Sequence, residues 1–265
     1  MTHVCVASTI AAYKGQDRGM GDQTQSWLKH IDRWRADTDV TVFAALQTGQ
    51  GHDNLFAPLR RKLHLLDATT WTFAIDDGTT SITTESRLIG ICTGRNLCHE
   101  FVLRNRDITH LLLLDSDVEP DSTALAKLLQ VEHPVVGGRV PTYDAVCRGP
   151  RLLVRRGRTN WNIYYQRVSD KTLAYTYTQP PFPEDAEVRE HWNTAGFLLL
   201  RRDVVLDVRW GWNLDDGCTD DPWFARRVEE AGYGKTWVRH DVIGLHQPDS
   251  IIRVEHRGHD LSIVR

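Results

Sequence analysis

The sequence predicts an α/β protein with a mainly parallel central sheet flanked by helices, and three observations predict it. Short apolar runs alternate with segments long enough for a helix through the first half of the chain, the order that produces right-handed strand–helix–strand crossovers. One run, His-Leu-Leu-Leu-Leu-Asp at 110–115, is apolar at four consecutive positions, the pattern of a strand covered on both faces. The chain of 265 residues, 41% hydrophobic and 25% charged, is long enough for one sizeable core and ordinary for a globular protein.

Strands are expected at 4–9, 40–46, 71–75 and 110–115. The opening residues carry no basic segment ahead of their short apolar stretch, so they read as a first strand and not as a signal peptide. No apolar run approaches the roughly 18 residues of a membrane span, and a cytoplasmic protein is expected. Residues 85–106 are the clearest helical candidate. After the aspartates at 115 and 117, Asp121 or Ser122 is placed to cap a helix whose Leu125, Leu128 and Leu129 share one face. From about 139 to 190 tyrosines, prolines and arginines replace helical periodicity, which reads as hairpins and loops within a single domain. Phe-Leu-Leu-Leu from 197 is another buried strand leading into a short turn or helix. In Thr-Asp-Asp-Pro-Trp-Phe at 219–224, Pro222 suits the first helical position. Phe224, Val228 and Ala231 then lie on one face, and Gly232 or Gly234 ends the helix. A last strand at 241–246 precedes a polar tail at 251–265. There are no internal repeats.

Five cysteines, Cys5, Cys92, Cys98, Cys147 and Cys218, are odd in number and lack paired Cys-x-x-Cys spacing, which excludes a disulfide framework or a structural zinc site as the reading. Reduced, packed thiols are expected. The net charge of −3 excludes a globally basic nucleic-acid protein but not a local patch. Residues 139–167 hold such a patch: Arg139, Arg148, Arg151, Arg155, Arg156, Arg158 and Arg167 against Asp144, with Trp161, Tyr164 and Tyr165 interleaved. It reads as a solvated basic hairpin or as a surface for a polyanionic acceptor, DNA or RNA included.

Asp115 and Asp117 close the leucine strand. The carboxyl edge of an open α/β sheet is where its loops form a ligand crevice, and residues two apart on an extended chain face the same way. Two carboxylates side by side repel unless a cation lies between them. A hard divalent ion such as Mg²⁺ or Mn²⁺ fits that need and keeps positions open for phosphate oxygens. Solvated loop aspartates are the plainer alternative.

In context this Asp-x-Asp resembles that of the GT-A glycosyltransferases, whose Rossmann-like fold binds a nucleotide-diphospho-sugar. Thr-Gly-Arg-Asn at 93–96 looks like the Ala-Arg-Asn segment of family 2 members. Asp220-Asp221 with the following helix resembles the acidic motif, often Glu-Asp, that opens the acceptor-side helix. Ile-Gly-Leu-His at 243–246 resembles the late histidine that completes the metal site in a subset. The resemblance implies one GT-A domain over 1–265, with a nucleotide-binding half to about 118 and an acceptor-side half over about 119–250. It implies Mn²⁺ or Mg²⁺ held by Asp117, Asp115 and His246, with His240 the competing histidine. Thr9, Arg95, Asp115 and Ser116 would contact the donor, and Asp76 and Asp77 would join them if Ile-Asp-Asp-Gly-Thr-Thr at 75–80 is the nucleotide segment and not an Asp-Gly turn. Trp192, Asn193 and Gly196 would lie near the acceptor and sugar. If the transfer inverts the anomeric centre, Asp221, with Asp220 as rival, would be its base; in a retaining transfer that acid would instead position the sugar.

The expected activity is therefore metal-dependent transfer of a hexose or pentose from a nucleotide diphosphate donor to a hydroxyl acceptor. A sugar-nucleotide nucleotidyltransferase and a noncatalytic sugar- or nucleic-acid-binding module are the alternatives. The opening Ala-Ser-Thr-Ile-Ala-Ala-Tyr-Lys-Gly is not the glycine-rich loop the first of these requires.

Overall fold

In the computed structural model, which describes residues 2–11, 27–48, 56–75, 84–116, 118–148, 151–160, 163–169, 172–177, 188–190, 196–215, 218–246, 253–257 and 260–264, the four leucines at 111–114 alternate between two cores. Leu112 and Leu114 join Val4, Val6 and Leu199 in one, and Leu111 and Leu113 join Cys5, Ala7 and Leu198 in the other. A strand whose alternate residues both meet an apolar layer must lie inside a sheet covered on both faces.

Its strands are β1 (His3–Ala11), β2 (Asp39–Thr48), β3 (Thr69–Ala74), β4 (His110–Leu114), β5 (Val118–Pro120), β6 (Val135–Arg139), β7 (Pro141–Arg148), β8 (Arg151–Asn160), β9 (Ile163–Ser169), β10 (Thr172–Tyr177), β11 (Val188–Glu190), β12 (Phe197–Arg201), β13 (Trp237–His246), β14 (Arg253–Arg257) and β15 (Asp260–Val264). The main sheet has the order β11-β13-β6-β12-β4-β1-β2-β3, with β5 pairing β13. Parallel pairs join β1 to β2 and β4, β2 to β3, and β6 to β13, whereas β12 is antiparallel between β4 and β6. The sheet is thus mainly parallel, as expected: six of its nine strands run the same way, and β12, β11 and β5 run against them. An apolar run such as Phe-Leu-Leu-Leu reads the same in either direction, so its orientation is not written in its pattern.

The helices are α1 (Ile31–Asp37), α2 (Phe56–Leu65), α3 (Thr84–Arg104), α4 (Ala124–Leu129), α5 (Arg202–Asp207) and α6 (Asp220–Glu230). Residues of α1, α2 and α4 pack in the first core, and those of α3, α5 and α6 in the second. Gly90 and Gly94, one turn apart, bring α3 close to the sheet. A Cβ on Gly94 would lie 2.1 Å from Thr9 Cγ2, and one on Gly90 2.5 Å from Gln47 Oε1. Past the helix end, Arg202 Nη1 donates to the carbonyls of Val102, Asn105 and Ile108 at 2.8, 2.9 and 2.9 Å, which fixes the far end of α3.

Neither Asp121 nor Ser122 caps α4: its N-cap is Thr123, which makes no side-chain capping bond, and Asp121 Oδ1 instead accepts from the Thr123 N–H at 2.7 Å in the turn that precedes the helix. In α6, Pro222 is the third residue and not the first; the helix begins at Asp220 after an N-cap, Thr219, that makes no side-chain capping bond. The proline still lies in the first turn, where an N–H has no helical partner. The end of α6 follows expectation. Gly232 has φ +87°, its N–H donates to Glu229 O, and the Tyr233 N–H donates to Val228 O, the paired bonds of a Schellman termination.

Hairpins β7–β8 and β9–β10 fill the region expected to hold them, and the tail contains a further hairpin, β14–β15. Cys5, Cys92 and Cys98 are free, buried thiols, as expected; Cys218 is buried, and the Cys147 side chain lies outside the described residues. Among the described residues no helix is long and apolar enough to cross a membrane.

Candidate functional site

The chain runs β1, β2, β3 outward and then returns to lay β4 on the other side of β1. That reversal is a topological switch point, and the crevice outside the carboxyl ends of β1 and β4 is where such sheets hold ligands. Asp115 follows directly on β4. Its N–H donates to Gly196 O at 3.0 Å, and its carbonyl accepts from the Val118 N–H at 3.0 Å, in the turn where Ser116 lies. At Gly196 a Cβ would come within 3.3 Å of Asp115 Oδ2; the glycine leaves that space to the carboxylate.

The turn delivers the chain into β5, which pairs antiparallel with the end of β13 so that Val118 lies opposite His246. The backbone of His246 therefore adjoins the Asp-x-Asp segment. His240 lies six residues earlier on the same strand.

Arg95, on α3, ties the acidic segments together. Its Nη1 donates to Asp220 Oδ2 at 2.5 Å and Asp221 Oδ1 at 3.0 Å, and its Nη2 reaches Asp115 Oδ1 at 3.4 Å. The Arg95 side chain is 7% exposed, that of Asp220 12%, Asp221 23% and Asp115 36%, so the cluster is buried on its arginine side and open on its aspartate side. Burial opposes the guanidinium's charge, but Asp220, Asp221 and Asp115 outweigh it and hold Arg95 more firmly protonated than usual. Beside them, burial and then the Asp220 charge push the Cys92 thiol up to about 12, which leaves it protonated and unreactive.

A second set of contacts supports the arginine. The Trp210 ring lies beneath its guanidinium, 4.4 Å from Cζ to the centroid, and stacks on Phe224 at 3.9 Å and 6°. Asn96 clasps the Trp210 backbone, donating from Nδ2 to its carbonyl and accepting its N–H at Oδ1, both at 3.0 Å. One turn on, His99 Nε2 accepts the Trp210 indole N–H at 3.1 Å. An acceptor nitrogen requires a neutral ring, and burial, then the Arg209 charge, push His99 down to about 3.

The structure therefore brings together Arg95, Asp115, Asp220, Asp221 and Gly196, with the backbone of His246 alongside. Arg95, expected at the donor, directs its guanidinium to three carboxylates, as a buried cation takes the fixed anions nearest to it. Thr9 lies within β1, opposite Ala45 of β2, and its Oγ1 is buried where Gly94 of α3 closes on it. Ser116 sits half-buried in the turn. Asp76, Asp77, Asp117, Trp192 and Asn193, and the side chains of His240 and His246, lie outside the described residues. Among the described residues no group of three or more His, Cys, Asp or Glu side chains is arranged to hold a metal. Trp210, Asn96 and His99 were not foreseen; the signal for them was Asn96 and His99 one turn apart behind Arg95, with Trp-Gly-Trp at 210–212.

No protein-family model matches the chain. No curated protein matches it either. Solved structures similar to it include A197 of STIV, at 11% identity and TM-score 0.39 over 97% of this chain and 100% of that one. Another, of Desulfovibrio desulfuricans G20, is described as a nucleotide-diphospho-sugar transferase, at 10% identity and TM-score 0.40 over 94% and 84%. A third is glucosyl-3-phosphoglycerate synthase of Mycobacterium tuberculosis, in complex with Mn²⁺, UDP and phosphoglyceric acid, at 7% identity and TM-score 0.47 over 93% and 71%.

Proposed function

We propose that this protein is a metal-dependent glycosyltransferase of the GT-A kind, moving a sugar from a nucleotide diphosphate donor to a hydroxyl acceptor. The observation that carries this reading is the Arg95 cluster: one guanidinium bonds the carboxylate that ends β4 and both carboxylates that open α6. Acid segments far apart in sequence thereby share one site at the switch point of the sheet.

The donor set suits a hard divalent cation. Three carboxylates meet one guanidinium, so negative charge remains in excess, and carboxylate oxygens with an imidazole nitrogen are ligands such ions accept. Asp117 and His246 would hold Mn²⁺ or Mg²⁺, with Asp115 supporting. When bound, the ion supplies Lewis-acid neutralisation of the leaving nucleotide diphosphate.

The chain's own residues divide the remaining work. Asp220 is more buried and makes the shorter bond to Arg95, whereas Asp221 is more exposed and bonds at 3.0 Å. This difference supports Asp221 as the carboxylate that would take a proton from an attacking hydroxyl, and Asp220 as the one that fixes the helix start against Arg95. Asp76, Asp77, Ser116 and the Thr9 backbone would meet the nucleotide, and Trp192, Asn193 and Gly196 the acceptor side.

Calorimetric titration of nucleoside diphosphates and nucleotide sugars, with and without Mn²⁺, tests the reading on wild type and Asp117→Ala. Metal-dependent binding of one nucleotide, absent in the variant, is the expected result. Failure of every nucleotide to bind would remove the proposal.

A further inference from the structure

Charge is segregated in this chain. Residues 139–177 carry seven arginines and Lys171 against Asp144 and Asp170, a formal +6, within a chain whose total is −3; the remainder therefore stands at −9. A domain that concentrates positive charge in one segment against an acidic background holds an electrostatic footprint for an anionic partner.

Arg139 ends β6, and the other six arginines lie in strands of the two hairpins β7–β8 and β9–β10, which are separate two-stranded sheets. Residues directly opposite in an antiparallel pair share a face. In β7–β8, Arg148 is opposite Arg151 and Tyr143 opposite Arg156. A like-charged pair at directly opposite positions is unfavourable on its own, and an anion relieves it. In β9–β10, Tyr165 is opposite Tyr175, Tyr177 opposite Ile163 and Arg167 opposite Leu173. Alternation along both strands puts the three tyrosines and Arg167 on one face.

Position ties these hairpins to the site. β7 begins two residues after β6 ends. β6 runs in the direction of β4, both being antiparallel to β12, so the hairpin leaves the sheet at the edge where Asp115 stands. β7 also lies against β13, the strand that ends in His246.

We propose that the two hairpins form a binding surface for single-stranded nucleic acid, with the arginines following phosphates and the β9–β10 tyrosine face stacking on bases. Stacking needs unpaired bases, which favours a single strand over a duplex, and an uncharged glycan would draw nothing from the excess positive charge. Binding stands independently of the transferase reading; that the bound strand carries the accepting hydroxyl rests on it.

The test is fluorescence anisotropy of the full chain with single-stranded DNA and RNA of about 20 nucleotides, the matching duplexes, and heparin as a base-free polyanion. The single strand binds more tightly than duplex or heparin, with a log–log salt slope of about −0.7 per phosphate contacted. Tyr165→Val with Tyr175→Val, which retains strand propensity, weakens the single strand about tenfold and leaves heparin unchanged. Arg151→Gln weakens all three. Equal affinity for heparin and single strand with no effect of the tyrosine changes overturns the proposal, as does absence of binding at low salt. Ultraviolet cross-linking of wild type to an iodouracil-substituted strand needs no variant. Cross-linked peptides from 139–177 are expected, and peptides only from elsewhere overturn the assignment. Nucleoside diphosphate titration on the same samples separates the two readings, since strand binding without nucleotide binding removes the transferase and retains the surface.

Discussion

Arg95 and Asp220 meet at 2.5 Å with side chains 7% and 12% exposed, a charge pair held almost entirely out of water. Breaking such a pair strands a buried charge, which costs about 3–5 kcal/mol. Arg95→Met is therefore expected to lower urea-denaturation stability by about that much and to abolish nucleotide binding, because Asp220, Asp221 and Asp115 would repel one another. Arg95→Lys keeps the charge but loses the planar fork that reaches separate carboxylates, and should fall between. Wild-type stability in Arg95→Met would mean that the cluster does not hold the site together.

The two acids at the start of α6 should separate by readout. Asp221→Asn is expected to lower kcat by about 10²- to 10⁴-fold, the usual contribution of a positioned base, with little change in melting temperature. Asp220→Asn removes the shorter and more buried partner of Arg95 and should show chiefly as lost stability. Turnover and melting of both variants check this, and the reverse pattern would exchange their roles.

His99 makes stability depend on acid. Its folded-state pKa, pushed down to about 3 by burial and then by Arg209, lies below the unfolded value near 6.5. Between those values the unfolded chain binds the proton and the folded chain does not. Its contribution is therefore complete above pH about 6.5 and lost as pH falls towards 3, by at most about 1.4 kcal/mol per unit. His99→Gln retains an acceptor for the Trp210 indole but takes up no proton. The wild-type stability loss on acidification, followed by urea midpoints across this range, should be steeper than the variant's; parallel curves would assign the acid sensitivity elsewhere.

The close seating of α3 can be tested by a double substitution. Gly94→Ala would drive a methyl to 2.1 Å from Thr9 Cγ2, and overpacking of this kind costs about 1–3 kcal/mol. Thr9→Ala removes the opposing branch, so the pair together should regain much of the loss, a coupling visible in a double-mutant cycle. Strict additivity would show that the helix relaxes away from β1 without resistance.

What was legible beforehand follows from what is local. β1, β2 and β4 lie where their apolar runs stand, because burial on both faces imposes the pattern on each strand separately, whereas β3, an edge strand with no fully buried residue, is marked by its aromatic and β-branched residues. β5 has three residues and β6 reads Val-Val-Gly-Gly-Arg, too short or too glycine-rich to announce a strand; β5 pairs with β13, and β6 is held between β12 and β13. The acids at 115, 220 and 221 were marked by motif and position. The partnership of Arg95 with Asp115 and Asp220 was not, since they lie 20 and 125 residues away and only the fold brings them within reach.

That same long-range pairing distinguishes the two histidines of β13. Val118, the residue after Asp117 in sequence, is opposite His246 in the β5–β13 register, while His240 precedes His246 by six positions and, among the described residues, is not paired with β5. If the cation is held by Asp117 and His246, His246→Ala should weaken Mn²⁺-dependent nucleotide binding at least tenfold, the lower range for disturbing a metal site. His240→Ala should leave it unchanged. Metal removal by a chelator should bring wild type down to the His246→Ala level and shift the variant little further. Titration of Mn²⁺ at fixed nucleotide, read by calorimetry in both variants, decides between them. Loss in His240→Ala with retention in His246→Ala would transfer the ligand assignment to His240 and place the cation further along the strand, away from the turn that Asp115 begins.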